Sequence, residues 1–334
     1  MFFFCYFCRV NTTTIHIVTK SKELPQLDGS NFFHSPELFR MMEDTPGTSP
    51  YMVIAKAADG TIQGHMLATL RRRGSWIPPY LFSQGRIYGE GVYADEQKKE
   101  ELFSLMLHAI TQCLHRRMCL YIEFSNVSKK MFGYRAFRSN GYFPVAWMNI
   151  HNSLHSMEPE LRLEEKTIHQ INKGYEAGIT TRPAANAEEV HKFYRLLKAY
   201  YRFRPQRFIP QEHLFQELSK SPSGSIHITC YKNRIIGGTA VVYSHNDAFL
   251  WFETYRKKRY PLLNVDLQTI WYAIRHSFEN GNNHIYFLHV GLPFSKSRYR
   301  DFILNFGGKP VSTFRWFHFT FGWINRLLAW IYSM

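Results

Sequence analysis

Apolar and polar positions alternate with changing period along the chain, and each change marks an element. IHIVTK (residues 15–20) alternates with the period of two that a half-buried strand requires. Ser35-Pro36-Glu37 then opens a helix: Ser35 can cap it, Pro36 suits its first turn, and Leu38, Met41 and Met42 supply the apolar face. PYMVIAKAADGTIQGHMLATLRRR predicts two strands around an Asp59-Gly60 turn, and the segment from Gly74 to Ser83, with Pro78-Pro79, a loop. GRIYGEGVY is a short strand before a helix opened by Asp95-Glu96. Leu102, Leu105, Met106, Ala109, Ile110 and Cys113 continue that helix at the 3.6 period. CLYIEFSN predicts a buried strand, MFGYRAFRSNGY a helix and turn, and PVAWMNIHNSL a closing strand.

The second half repeats this plan. AANAEEVHKFYRLLKAYYRF is a helix with Val190, Phe193, Leu196, Leu197 and Tyr200 on one stripe, and a second helix follows from Gln211 to Ser219. SIHITCYKNRIIGGTAVVYSHNDAFLWFETY gives three strands, turning at Lys232-Asn233 and His245-Asn246-Asp247. Then come a helix from Asn264 to Glu279, the buried strand HIYFLHVG, a short helix closed by Gly307-Gly308, and the strand PVSTFRWFHF. The fold class is α/β, in detail α+β: two tandem lobes with mixed, largely antiparallel sheets, related by an internal duplication. The expected boundaries are an N-terminal extension at 1–14, a first lobe at 15–156, a charged connecting helix at 157–180, a second lobe at 181–320, and an aromatic amphipathic tail at 321–334.

Composition narrows the partners. Lysine and arginine number 41 against 26 acids, a net charge of +15 that favours polyanions or an anionic membrane face, although a solvated basic surface would look the same. Hydrophobic residues form 45% of the chain, which excludes a mostly disordered protein. The five cysteines are scattered; Cys5 and Cys8 form a CxxC with no second pair, so a reducing, cytoplasmic setting is expected. The apolar start MFFFCYFCRV is too short to span a bilayer and lacks the features of a signal peptide. The histidines show no metal-binding spacing, and no nucleophile elbow is present, so neither a metal site nor a hydrolase is expected.

These segments, in their order, resemble FemAB-like proteins of the GNAT superfamily. In the second half the resemblance rests on Asn264, the helix ending FENG, IYFLHVG, Arg300-Asp301-Phe302 and Phe306-Gly307-Gly308; in the first half it rests on YGEGVY, YIEFSN and FRSNGYFPV. ELRLEEKTIHQINKGYEAGI is similar to the family's interlobe helix. The resemblance implies transfer of an acyl or aminoacyl group onto an amine of a cell-envelope precursor or lipid. The donor would be a cosubstrate, acyl-CoA, acyl-carrier protein or aminoacyl-tRNA, rather than a bound cofactor. A GNAT lobe holds such a donor between a splayed pair of sheet strands. Two departures turn the expectation away from tRNA: Ile303 stands where the family usually has lysine, and Tyr286 where relatives often have aspartate. The glycine-rich acetyl-CoA turn of ordinary GNAT enzymes is absent as well. The competing reading is a catalytically silent tandem module that binds a phosphate-bearing ligand or RNA.

Several residues are candidates for the site. Glu253, ending the apolar run LWFETY, could act as general base, or could be a solvated strand-end acid. His289 could serve as base near neutral pH, or be a core histidine bonded to backbone. Arg256 and Arg259, with Lys257 and Lys258 before the helix at Asn264, could hold a donor phosphate together with Arg300; a basic surface loop is the alternative. Tyr88, Glu90, Glu123 and Arg73 are candidate acceptor contacts in the first lobe, with Glu123 also placed to satisfy backbone donors beside Asn126. In the tail, Phe319, Trp323, Leu327, Trp330 and Ile331 can share a helical face that suits either the inner face of a membrane or docking on the second lobe.

Overall fold

The computed structural model describes residues 13–74, 81–125, 129–202 and 208–332. Cys5, Cys8, Pro78-Pro79 and Asn126 lie outside them. In chain order the elements are β1 (Thr14–Val18), α1 (Pro36–Asp44), β2 (Thr48–Lys56), β3 (Ile62–Gly74), β4 (Leu81–Tyr88), β5 (Val92–Tyr93), α2 (Lys99–Arg116), β6 (Tyr121–Ser125), α3 (Tyr134–Ser139) and β7 (Phe143–Ser153). They continue as α4 (Glu165–Glu176), β8 (Ile179–Pro183), α5 (Ala187–Tyr201), α6 (Glu212–Leu218), β9 (Gly224–Tyr231), β10 (Arg234–Ser244), β11 (Asp247–Tyr255) and α7 (Val265–Glu279). The last are β12 (His284–Phe287), α8 (Arg298–Leu304), β13 (Lys309–Phe319) and α9 (Gly322–Tyr332).

Local chemistry explains most boundaries. Ser35 Oγ accepts from Leu38 N at the start of α1, the expected cap. Asp59 Oδ1 accepts from Thr61 N beside Gly60 at φ +85°, which closes the β2–β3 hairpin. The turns after β9 and β10 place Lys232-Asn233 (φ 47° and 59°) and His245-Asn246 (φ 51° and 62°) in the left-handed region. Two successive positive φ values make these turns of the primed kind, whose twist matches paired strands.

The chain forms two compact units, one of residues up to 147 together with those from 312 onward, the other of residues 148–311. In the first unit the strands run β1-β2-β3-β4-β6-β13, followed by the start of β7. The pair β4·β6 is parallel, while β1 through β4 and β6·β13 are antiparallel. One sheet face buries Val53, Ala68, Ile87, Phe124 and Trp316 under Phe103, Met106, Ile110 and Phe137 of α2 and α3.

In the second unit the order is β7-β12-β11-β10-β9-β8; β11·β12 is parallel and the other pairs are antiparallel. α7 covers one face through Leu267, Ile270 and Ile274, and α4 packs on it, Gln268 Nε2 donating to the Ile171 carbonyl at 2.8 Å. α5 and α6 lie against β9, β10 and β11, with Phe193, Phe215 and Phe252 in edge contact.

The duplication explains where the units begin and end. Each copy supplies a run of strands, helices and a final strand, but the final strands are exchanged. β7, which ends the first copy, pairs with β12 of the second unit, and β13, which ends the second copy, pairs with β6 of the first. The segment expected as a connector, a 3-10 turn at Pro159–Arg162 followed by α4, therefore belongs to the second unit, and α9 belongs to the first. β8 carries no strand pattern in the sequence: only Ile179 of its five residues is buried, as suits an edge strand.

Candidate functional site

The parallel pair of the second unit is where its sheet opens. β11 and β12 match only at Ala248↔Ile285, Phe249↔Tyr286 and Leu250↔Phe287. β12 then ends, while β11 runs on to Tyr255 in register with β10. At the same place the β10·β11 register shifts: Ala240 faces Phe252 and Val241 faces Leu250, which makes Trp251 an extra residue, a β-bulge. A bulge bends its strand and re-aims the groups that follow, a device common beside active sites.

Glu253 lies two residues past the bulge. It is buried, which removes the solvated strand-end alternative, and Tyr201 Oη donates to its Oε1 at 3.0 Å. Tyr255 packs edge-on against Tyr200 with ring centroids 5.1 Å apart. Burial pushes the Tyr255 phenol far above its ordinary value, reinforced by Tyr200 and Glu253, so it keeps its proton at neutral pH. A carboxylate held by one phenol beside a second phenol can take a proton from an amine and be positioned while doing so.

The remaining candidates of this unit divide. Arg256 and Arg259 are exposed on the turn after β11, with Lys257 and Lys258, and Asn264 stands at the start of α7 with φ 47°. This basic turn thus forms at the end of the bulged strand. Lys257 is engaged by Asp266 at 2.5 Å, so an acid already sits in the first turn of α7, where the helix dipole favours negative charge. Arg300 is engaged by its own loop: its guanidinium donates to the carbonyls of Leu292 and Ser295 at 2.8 and 2.7 Å. Ser297 caps α8, its side chain accepting from Arg300 N. His289 is half-buried just past the end of β12. Tyr286 stacks on Phe249 at 5.1 Å, and Ile303 is fully buried among Ile150, Val290 and Phe306.

In the first unit the sheet face opposite α2 carries a buried ionic cluster. Glu123 on β6 pairs with Arg86 of β4, accepts from Arg315 of β13 at 2.9 Å and from Gln84 at 2.8 Å. Arg86 lies 4.5 Å over the Tyr88 ring and Arg315 lies 3.7 Å over Trp147. Burial would raise the Glu123 carboxyl, but Arg86 and Arg315 outweigh it and hold the group below its ordinary value. Burial lowers Arg71, which shares this face, and pushes Arg315 down to about 10, so Arg315 stays charged at neutral pH. Of the acceptor candidates, Tyr88 and Glu123 belong to this cluster. Glu90 is paired with Lys99 at 3.0 Å, and Arg73 is exposed at the end of β3. Arg86 and Arg315 were not singled out in the sequence; their signal was an arginine beside large apolar residues, GRIY and FRWF, within a strand.

The arrangement of both units is the tandem GNAT fold. The chain superposes on FemX with a TM-score of 0.61 at 10% identity, covering 92% of this chain and 96% of that one. It matches the C-terminal domain of a putative lysylphosphatidylglycerol synthetase from Agrobacterium fabrum with a TM-score of 0.53 at 11% identity, over 91% and 92% of the two chains. A tandem GNAT protein from clavulanic acid biosynthesis gives 0.56 at 10% identity, over 92% and 98%. No protein-family model matches the sequence, and no curated protein matches it. At such identities the likeness establishes the fold.

Proposed function

We propose that the protein is an N-acyltransferase that takes an activated acyl group where β11 outruns β12 and passes it to an amine of a cell-envelope precursor or lipid. The observation that carries this reading is the coincidence of the Trp251 bulge with the last β11·β12 pair, Leu250↔Phe287. An extended donor laid along a strand end can be held by main-chain contacts, and amides at a bulge are suited to a carbonyl oxygen that gains charge in the transition state. Glu253 is the general base: it removes the proton that the amine loses on acylation. Arg256 and Arg259, exposed on the turn that follows the bulged strand, contact the anionic part of the donor.

The neighbours supply donor and acceptor classes to test. One was solved without AcCoA, which ranks acyl-CoA first, and another is named for a lipid, lysylphosphatidylglycerol. The scattered cysteines, with Cys113, Cys119 and Cys230 free, support a cytoplasmic setting for the reaction. Thermal-shift and product mass spectrometry against acyl-CoA, acyl-carrier-protein and aminoacyl-tRNA donors test the proposal. A stabilising donor that acylates an amine supports it; silence from all three classes overturns it in favour of a binding module.

That second reading is favoured by one observation, the burial of Ile303 where the family usually has lysine. A lysine here would end among Ile150, Val290 and Phe306. Ile303→Lys is therefore expected to destabilise the second unit by about 3 kcal/mol or more, the cost of burying an unpaired ammonium. If it folds with unchanged stability and gains aminoacyl-tRNA transfer, the position is a lost catalytic site.

A further inference from the structure

The helix α9 has two faces, and the more apolar one is exposed. Ile324, Asn325, Leu328 and Ala329 are half-buried. Asn325 pins this inner face, its Nδ2 donating to the Gly141 carbonyl at 2.8 Å and its Oδ1 accepting from Phe319 N at 2.9 Å. Tyr332 stacks on Phe143 at 6.3 Å. On the outer face, Trp323, Leu327, Trp330 and Ile331 are 66, 49, 62 and 47% exposed, joined by Arg326. Positions 323, 326, 327, 330 and 331 follow the i, i+3, i+4, i+7, i+8 spacing of a single stripe.

The lead-in to α9 is fixed to the end of α2 and to the turn between α2 and β6. Thr320 N donates to Leu120 O at 3.1 Å, Thr320 Oγ1 donates to Cys119 O, and His115 Nε2 meets Thr320 O at 3.3 Å. At this junction Phe321 and Met118 are exposed, as are Arg116 and Arg117 beside Met118 in the chain. No acidic residue follows Asp301 in the chain, and the whole protein carries +15.

We infer that this surface of the first unit seats on an anionic lipid bilayer, with α9 lying in the plane of the interface. The argument is one of chemistry matched side by side. Tryptophan favours the boundary between headgroups and acyl chains, leucine and isoleucine enter the apolar side, and arginine meets lipid phosphates. A protein partner would more often bring hydrogen-bonding or acidic groups to meet; this stripe offers one charge and four apolar side chains. Spanning is excluded for the described helices, none of which is long and apolar enough to cross a membrane. The inference stands whether or not the acyl-transfer reading holds.

The test uses the full chain and vesicles of phosphatidylcholine, alone or mixed with phosphatidylglycerol. Co-sedimentation with the mixed vesicles is expected, weakened by salt and by omission of phosphatidylglycerol. Quenching of tryptophan fluorescence by brominated acyl chains should accompany it. Because Trp323 and Trp330 are exposed, Trp323→Ser combined with Trp330→Ser should keep the thermal melt and lose about 10-fold or more in vesicle binding, while Arg326→Glu should lose less. Absence of sedimentation with phosphatidylglycerol vesicles at low salt overturns the inference. So does binding that the double substitution leaves unchanged, or a concentration-dependent dimer that the substitution dissolves, which would make the stripe a contact between copies. If the double variant fails to fold, brominated-lipid quenching of the wild-type chain decides alone: no quenching refutes the seating.

Discussion

Among the described residues each unit has a parallel strand pair, β4·β6 in the first and β11·β12 in the second, and the two differ. In the first unit β4 and β6 match over five successive positions, Gln84↔Tyr121 to Tyr88↔Ser125, and Gly89 N extends the contact to Ser125 O at 2.7 Å. The neighbouring β3·β4 register runs without a shift from Ala68↔Ile87 to Gly74↔Leu81. In the second unit the corresponding pair matches over three positions, and its other neighbour carries the bulge at Trp251. A closed pair is a structural seam, and the first unit places a buried ionic cluster across it. An open pair is a place where something extended can be held. The comparison points to a division of labour between the sheets, with a buried ionic cluster in the first and an opening strand in the second.

Removing the counterion of the first sheet should have the largest effect. Glu123→Ala leaves Arg86 and Arg315 buried without their shared carboxylate, and a loss of about 3–5 kcal/mol of stability is expected in chemical denaturation. Donor binding by the folded fraction should be unchanged, since Glu123 belongs to the first unit. A donor affinity that falls with Glu123→Ala would break the division of labour. In the second sheet, Glu253→Gln keeps an acceptor for the Tyr201 hydroxyl but cannot take a proton. It should lower kcat about 100-fold with little change in melting temperature. Loss of stability without loss of turnover would make Glu253 a structural acid.

Acid sharpens the comparison further. In the second unit His227 is held neutral: burial, then neighbouring His276, pushes it from an ordinary 6.5 down to about 3. The unfolded chain binds that proton first, so this contribution is present above pH 6.5 and is lost as pH falls toward 3. Its full slope is about 1.4 kcal/mol per pH unit. Glu123 is also depressed, so its contribution is present above the ordinary 4.5 and fades only below it. His227→Gln should therefore flatten the stability profile between pH 6 and 4, measured by denaturant midpoints. A slope identical to wild type would show that His227 is already protonated in the fold.

Much of this was legible in the sequence, and the rest was hidden for identifiable reasons. The cap at Ser35, the hairpin at Asp59-Gly60 and the turns at Lys232-Asn233 and His245-Asn246 are local chemistry, so a short window reveals them. The exchange of β7 and β13 is not local: both strands look like the end of their own copy, and only their pairing partners show otherwise. The same holds for the Trp251 bulge, which is a mismatch of two registers and leaves no residue signature in LWFETY. Glu253 was visible as an acid in an apolar run, yet its tyrosine partner lies 52 positions away. The loop carbonyls of Leu292 and Ser295 that Arg300 braces carry no sequence signal either.

The smallest expected effect probes the basic turn. Asn264 holds φ 47° and ψ 44°, a conformation that costs an L residue energy, and its side chain makes no capping hydrogen bond. Asn264→Gly relieves that strain while loosening the unfolded chain, so the net change should stay within about 0.5 kcal/mol. If Asn264 is only a turn residue, donor affinity will follow stability and barely move. If its amide contacts the donor beside Arg256 and Arg259, affinity should fall about 5-fold, roughly the worth of one hydrogen bond, while the melt is unaltered. The corresponding position in the first unit offers an internal control: Lys98, before α2, sits in ordinary helical backbone (φ −92°, ψ 0°), and Lys98→Gly should leave donor affinity untouched. A drop in both would mean that the donor is drawn by diffuse positive charge, and the contrast between the open and the closed unit would lose its chemical meaning.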